Sequence, residues 1–409
     1  MSGEHPAGRT SAAPALALTA FTATSCIGRG LAATLAALEA RCSGLAPCAF
    51  ETVTLDTCVG EVPGVDDAPL PAGLGEFECR NNRLALLGLT QDGFAAAVAE
   101  CAARLSPARV GLWLGTSTSG ILETELAYRR RDAASGALPT DFRYRGAHNT
   151  FSVAAFVQRA LGLEGPAAVI SSACSSSAKV FASAQRAIAA GLVDAAVVGG
   201  VDSLCLTTLY GFHSLQLVAR APCRPFDAAR DGISIGEAAA FALLEPARAP
   251  LAPGSVLLLG GGESSDAYHM SSPHPEGRGA RAAMEQALAA ARLTAGEIDY
   301  LNLHGTGTPS NDAAEAHAVA AVLGTRVPAS STKGATGHAL GAAGALETVI
   351  CALALRHGLM PGGVNTSVID PQLGVSYLLE NRRARLAHVM SNSFGFGGSN
   401  CSLILGRAG

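Results

Sequence analysis

Apolar and small residues alternate along this chain in two rhythms. Short apolar runs ending in Gly or Ser recur at "RVGLWLGTS", "AAVISSA", "DAAVVGGVDS", "SVLLLGGGES", "IDYLNLHGTGT" and "HVMSNSFGFGG", and each predicts a buried strand. Between them, "GFAAAVAECAARL", "AKVFASAQRAIAAG", "ARAAMEQALAAARL", "DAAEAHAVAAVLG" and "AGALETVICALALRHG" place apolar residues at i, i+3 and i+4, and several stop at a Gly suited to a helix C-cap. Strand–helix alternation of this kind predicts an α/β layered protein with helices covering central sheets. The proline-bearing stretch "LLEPARAPLAPGS" (243–255) divides the chain into an N-terminal half, 14–250, and a C-terminal half, 251–409, each with its own strand–helix set. The segment 129–146, "RRRDAASGALPTDFRYRG", has no clean period and is expected to be an insertion or a covering loop.

Composition narrows the class. The 409 residues are 49% hydrophobic and only 15% charged, with 47 glycines, which describes an interior-rich globular chain built from small side chains. A net charge of −4 and the lack of a long Lys/Arg run argue against nucleic-acid binding. The eleven cysteines are scattered, odd in number and without CxxC or CxxH spacing, so neither a disulfide framework nor a structural zinc site is expected. The N-terminus lacks the basic and apolar regions of a signal peptide. "PALALTAF" is too short to span a bilayer and reads as a first strand, so a cytoplasmic protein without a membrane span is expected.

One cysteine stands apart. In "VISSACSSSAKVFASAQ", Cys174 follows a β-branched run and precedes a helix whose Val180, Phe181, Ala184 and Ile188 share one face. A lone cysteine is usually a small buried hydrophobe. At a helix N-terminus, however, the dipole and unpaired N–H groups are expected to stabilise a thiolate, and the cysteine's own N–H can serve an oxyanion. His304 in "LNLHGTGTPSND" and His338 in "SSTKGATGHALGAAGALE" both lie at strand ends or Gly-rich turns, where loops converge on a sheet edge. Asp312 and Glu315 have the D-x-x-E spacing of a capping box. The glycines of "MSNSFGFGGSNCSLIL" are not followed by a helical pattern, so a dinucleotide fingerprint fails there; no Walker A or HExxH motif is present.

Six blocks, "SSACSSSAKVFASAQRAIAAGLVDAAVVGGVDS", "CRPFDAARDGISIGEAAAFALLE", "SSDAYHMSSPHPEGRGA", "LHGTGTPSNDAAEAHAV", "SSTKGATGHALGAAGALETV" and "SNSFGFGGSNCSLIL", resemble the chain-elongating β-ketoacyl-acyl carrier protein synthases, in that family's order and across nearly the whole chain. The resemblance implies the thiolase fold, two similar halves in a five-layered αβαβα sandwich. It also implies decarboxylative condensation of an acyl group with malonyl-acyl carrier protein, giving a 3-oxoacyl thioester and CO2. In that family's terms Cys174 is the acyl-carrying nucleophile, and His304 and His338 hold the malonyl thioester carbonyl. Lys333 is the active-site lysine, with Glu347 as its charge partner; Asp312 and Glu315 are further charged neighbours. Phe396 is the gating residue whose N–H completes the oxyanion hole, and Thr306 and Thr308 hold the pantetheine arm. No cofactor is implied, because the substrates arrive on the phosphopantetheine of the carrier protein. Chain-initiating relatives have Asn in place of His338, and thiolases use a second cysteine near the C-terminus; Cys401, beyond the glycine turn, does not match it.

The family's carrier protein is acidic, so a local basic patch is expected at Arg80 and Arg83, with Arg129, Arg130 and Arg131 as further candidates or a solvated helix face. "IGEAAAF" and the short connection "GFHSLQLVARAPCRP" depart from housekeeping enzymes and suggest a specialised polyene or polyketide pathway. A homodimer and a heterodimer with a chain-length-factor-like subunit are both open. The alternatives are a non-catalytic or length-determining partner subunit, although such partners lose the nucleophile, and a cysteine hydrolase, which leaves the second histidine and Lys333 unexplained.

Overall fold

A computed structural model of the chain describes residues 15–409. Ten strands follow one another through the largest sheet: β1 (Leu16–Ser25), β2 (Val110–Gly115), β3 (Ala167–Ile170), β4 (Ala195–Asp202), β5 (Ala238–Pro246), β6 (Val256–Ser265), β7 (Tyr300–Asn302), β8 (Ala329–Ser330), β9 (His388–Gly395) and β10 (Ser399–Arg407). Their spatial order is β8-β7-β9-β10-β6-β1-β5-β4-β2-β3. Read by position within each half, both sets of five run 3-2-4-5-1 from the outer edge inward, so the two halves repeat one topology. They meet where β1 pairs antiparallel with β6 over Leu16↔Leu258 and Ala17↔Leu257. Each predicted strand and helix named above is present. Leu243–Pro246 finish β5, so the connection between the halves is 247–255 and shorter than the proline pattern indicated.

Helices fill three layers. Ser176–Ala189 and Ala343–His357 pack on one another and on both halves of the sheet, and their side chains form the central core with Phe181, Val198, Leu346 and Leu403. The outer layer of the N-terminal half is built on Leu84, Phe94, Phe156 and Phe241, and that of the C-terminal half on Met284, Leu301, Val319 and Ile404. The result is an αβαβα sandwich.

Small residues make these layers possible. A Cβ on Gly115 of β2 would lie 2.3 Å from Ser177 N, and one on Gly200 of β4 would lie 2.4 Å from Ser177 Cβ, so the Ser176–Ala189 helix seats its first turn directly on strand backbone. Dispersion gains need this closeness. The Ala343–His357 helix is buried from Ala343 to Leu355 and apolar there but for Glu347 and Thr348, as expected of a helix enclosed on every side, and it stops at Gly358 with φ 61°. The stretch Leu340–His357 is long and apolar enough to cross a bilayer by length and composition, yet 89% of it is buried inside the fold, where it is the central helix.

Candidate active site

The turn between β3 and the Ser176–Ala189 helix is tight. Ala173 takes φ 55°, a left-handed value costly for a residue with a Cβ, and it throws Cys174 inward just before the helix begins. Ser176 Oγ accepts from Ser172 N at 2.9 Å and donates to Ala173 O at 2.5 Å, fixing the turn. Cys174 is 5% exposed and lines a cleft of about 580 Å³.

Three turns bring the remaining groups to this thiol. His304 follows β7, and Glu315 holds that turn by accepting from His304 N at 2.8 Å and Gly305 N at 2.7 Å, with Asn392 Nδ2 at 3.1 Å. His338 N donates to Ser234 O at 2.7 Å, so its loop is pinned to the other half of the protein. The imidazoles meet edge to face, with centroids 5.3 Å apart. Sγ of Cys174 and one nitrogen from each histidine lie within 4.8 Å of one another. The third turn, at Gly395–Gly398, presses on the nucleophile: a Cβ on Gly395 would lie 2.8 Å from Ser172 O and 3.2 Å from Cys174 N. This brings the Phe396 N–H to the Cys174 sulfur. The Phe396 ring packs on Phe212 at 5.4 Å.

Lys333 lies behind His304, 1% exposed. Its Nζ donates to Glu347 Oε1 and to His304 O, and lies 3.4 Å from His304 Nδ1. An ammonium has only donors, so Nδ1 accepts and the His304 proton sits on Nε2. Both ring nitrogens of His338 lack a hydrogen-bond partner among the described residues. Burial, the Lys333 charge and, more weakly, His338 hold the pKa of His304 well below its usual value; burial and Lys333 do the same for His338. Both rings are therefore neutral donors.

The expectation of a stabilised Cys174 thiolate is corrected by the structure. Burial pushes the thiol up to about 11, although the Lys333 charge and the Phe396 N–H pull the other way. A helix terminus supplies at most about 2 kcal/mol, or roughly 1.5 pKa units, and complete burial outweighs it. The resting nucleophile is the thiol.

Thr306 and Thr308 line the cleft with their hydroxyls 2.9 Å apart. Thr308 is also the N-cap of the Pro309–Val322 helix, accepting from Asn311 N, so Asp312 and Glu315 do not form the expected capping box. Asp312 instead turns inward and accepts from Phe226 N at 2.9 Å and Gly307 N at 3.2 Å.

Among the arginines, Arg80 is 3% exposed and spanned by Glu237, Asp66 and Glu61, which removes it from any docking surface. Its guanidinium lies 5.1 Å from the centroid of the Phe50 ring and pairs with the fully buried Glu237. Arg83 reaches Glu78 and Asp66 O, Arg129 reaches Thr52 and lies 3.8 Å from Glu51, Arg130 bonds Asp141 at 3.0 Å, and Arg131 is exposed. The segment 129–146 does not cover the Cys174 cleft. It borders a second cleft of about 650 Å³ with Gly75, Glu76, Glu78 and Glu123.

Sequence reading missed Asp202, which accepts from Thr116 Oγ1, Thr118 Oγ1, and the backbone N–H groups of Ser117, Thr118 and Ala342. It also missed Phe212, Leu217 and Ile233 as walls of the cleft. Asp at the end of a fully buried strand was the available signal for the first; nothing local marked the others. Cys174, His304 and His338 offer three donor atoms of the kind zinc takes, but the Lys333 charge behind His304 opposes a cation there.

Residues 83–249 match the model of the β-ketoacyl synthase N-terminal domain, and residues 256–367 match that of its C-terminal domain. Nodulation protein E of Rhizobium meliloti is 37% identical over 304 residues, 72% of this chain and 75% of that protein. The 3-oxoacyl-[acyl-carrier-protein] synthase 2 of R. meliloti (strain 1021) is 39% identical over 260 residues, 60% of this chain and 62% of that protein. Among solved structures, the ketosynthase ApeO in complex with its chain length factor ApeC, from Xenorhabdus doucetiae, superposes over 100% of both chains with a TM-score of 0.87 and 38% identity. The ishigamide ketosynthase/chain length factor aligns over 97% of this chain and 100% of that one, with a TM-score of 0.86 and 26% identity.

Proposed function

The chain belongs to the β-ketoacyl synthase family, and from that premise we propose that it is a catalytically active, chain-elongating ketosynthase. The observation that carries this reading is the convergence of Cys174 Sγ with nitrogens of His304 and His338 within 4.8 Å, at the inner end of a cleft that also holds Thr306, Thr308 and Phe396.

In the first step the Cys174 sulfur attacks the carbonyl of an acyl thioester on acyl carrier protein. The thiol proton leaves as the S–C bond forms and is relayed by the neutral His338 ring, whose two nitrogens are unpartnered, to the departing carrier sulfur, so that no imidazolium need persist beside Lys333. The tetrahedral oxyanion is met by the N–H groups of Phe396 and Cys174, and the carrier thiolate departs, leaving with a proton. In the second step a malonyl thioester fills the vacated position. The bond to its carboxylate breaks, CO2 leaves, and the electron pair becomes an enolate whose oxygen is held by N–H donors of His304 and His338. A proton fixed on His304 Nε2 by Lys333 is already in place for this. The enolate carbon attacks the acyl-enzyme carbonyl, the Cys174 thiolate is expelled and takes a proton from solvent, the one proton the condensation consumes, and a 3-oxoacyl thioester longer by two carbons is released. The carbanion comes from the malonyl group itself, so the reading needs no cofactor beyond the substrates' own phosphopantetheine. Holding both thioesters in place removes much of the entropic cost.

Retention of the nucleophile and of both histidines in working geometry weighs against the non-catalytic reading. We further propose a heterodimer with a chain-length-factor-like subunit and a specialised polyene or polyketide pathway, supported by the two ketosynthase/chain length factor structures that this chain resembles along almost its whole length. The test is incubation with carrier proteins bearing saturated, polyunsaturated or aryl-capped acyl groups, alone and with a candidate partner subunit, reading the mass of the Cys174 peptide and then adding malonyl carrier. An acyl adduct that turns over with CO2 release supports the reading. No adduct under any condition rejects it.

A further inference from the structure

One buried carboxylate behind the active site has no part in the steps above. Asp202 ends β4 and is fully buried, and no arginine or lysine pairs with it among the described residues. Its Oδ1 accepts from Thr116 Oγ1 at 2.7 Å, Thr118 Oγ1 at 2.9 Å and the N–H groups of Ser117 and Thr118, both at 2.8 Å. Its Oδ2 accepts from Ser117 N at 3.1 Å and Ala342 N at 3.2 Å. The threonine hydroxyls accept in turn from Ser119 N and Ser203 N, which leaves their protons for the carboxylate. Every neighbour therefore donates, and both oxygens must accept. A carboxylate meets that demand; an amide, with a donor on one side, does not. Burial raises the Asp202 pKa, and these donors oppose the rise.

The partners lead to two catalytic groups. Ser117 Oγ donates at 3.4 Å to the carbonyl of Ala173, the residue whose φ of 55° throws Cys174 inward. Thr116 N donates to Ile170 O at 3.2 Å, at the end of β3 just before that turn. On the other side, Ala342 follows His338 in the turn that starts the central helix. A Cβ on Gly341 would lie 2.7 Å from Ser117 Oγ and 2.8 Å from Asp202 Oδ2, so this turn rests directly on the pair. Asp202 thus joins the Cys174 elbow, through Ser117, to a turn from the C-terminal half. A fully satisfied polar network in a dry interior makes what it joins rigid.

We propose that Asp202 is a positioning residue that holds the Cys174 elbow and the His338 turn at a fixed spacing while bonding to neither reacting side chain. This rests on the ketosynthase reading above, since the spacing matters only if both groups act on one thioester. The carboxylate has a second effect that can be read apart from position. Beyond burial, three charges act on Cys174: Lys333 favours its thiolate, and Asp202 and Glu347 oppose it.

The experiment compares purified Asp202→Asn, Ser117→Ala and the double variant with wild type, each checked for folding by its Tm. Asp202→Asn is expected to lower kcat for condensation about thirtyfold to hundredfold, the loss that a misplacement near 1 Å produces, with KM for malonyl carrier within about twofold. Ser117→Ala is expected to slow acylation of Cys174 about fivefold, and the double variant to acylate no more slowly than Asp202→Asn, because both changes cut one link. Two alkylating reagents read the charge. Iodoacetate is anionic and iodoacetamide neutral; with each, the Cys174 sulfur displaces iodide and the thiol proton passes to solvent. The ratio of iodoacetate to iodoacetamide rates at Cys174 is expected to rise about threefold in Asp202→Asn and to stay unchanged in Ser117→Ala, whereas loosened packing would move both reagents alike. Condensation at the wild-type rate in Asp202→Asn, additive acylation losses in the double variant, or an unchanged reagent ratio in Asp202→Asn each overturns the proposal. If Asp202→Asn does not fold, Thr118→Val, which removes one donor and keeps the charge, replaces it in the cycle with Ser117→Ala, and additive losses there overturn the proposal equally. A wild type that acylates but never condenses rejects the ketosynthase reading, while the acylation cycle and the reagent ratio still decide the place of Asp202.

Discussion

Removing the Lys333 ammonium while leaving Glu347 tests whether this pair holds the active site or merely fills the core. The two side chains are 1% and 3% exposed, so Lys333→Met would strand a carboxylate beside the central helix with water excluded. Breaking a buried pair on one side costs about 3 to 5 kcal/mol, whereas replacing both partners with neutral groups of similar volume costs far less. With an unfolding entropy of about 2.1 cal/mol/K per residue, a chain of 409 residues loses roughly 4 to 6 °C of Tm for that penalty. The double variant Lys333→Met/Glu347→Gln is therefore expected within about 2 °C of wild type, measured by calorimetry or dye-based melting. Activity should separate from stability. In both variants His304 Nδ1 loses the donor that fixes its tautomer, so condensation of malonyl carrier with acyl-enzyme stays low although the double variant is folded. Equal Tm losses in the single and double variants would refute the ion-pair reasoning, and normal condensation in the double variant would refute the positioning role of Lys333.

Other outcomes follow from the same geometry. Alkylation of unacylated Cys174 by iodoacetamide should rise about tenfold per pH unit from pH 7 to 10, because the thiolate forms only as pH approaches about 11; a plateau near pH 7 would mean that burial does not govern this thiol. His338→Ala should lower condensation by about 10² to 10³, the usual loss for one oxyanion donor, measured as CO2 released per acyl-enzyme; a loss below tenfold would remove His338 from that role. Gly395→Ala should displace the Phe396 turn, since its Cβ would lie 2.8 Å from Ser172 O, and should slow both acylation and condensation with little change in Tm; full activity would show that the turn yields freely. Arg80→Ala should destabilise the protein by about 3 to 5 kcal/mol by leaving Glu237 unpaired, read as a drop in Tm, and a neutral outcome would return Arg80 to the surface.

Much of this protein is legible in its sequence because local rules and the final fold agree. Apolar runs such as "AAVVGG" must be buried on both faces, and the largely apolar "AGALETVICALALRH", with Glu347 as its one charge before the last turn, reads as a helix enclosed on every side. Cys174 could be singled out because a strand, a tight turn and a helix start are all written around it, and His304 and His338 because each sits at a glycine-punctuated strand end or turn. Tertiary structure decided what depends on neighbours distant in the chain. Whether Cys174 rests as thiol or thiolate is set by burial against a charge from Lys333, more than 150 residues away in sequence, and the helix terminus alone suggested the wrong state. Arg80 reads as a surface charge until Glu237 closes over it. Asp312 and Glu315 read as a cap until the fold turns them inward to backbone N–H groups. Phe212 and Phe396 lie 184 positions apart and meet as one wall of the cleft only because the turn at Gly395–Gly398 folds onto the N-terminal half. Periodicity reports which side of an element is buried; desolvation and charge depend on what is packed against it, and that is fixed only when the layers close.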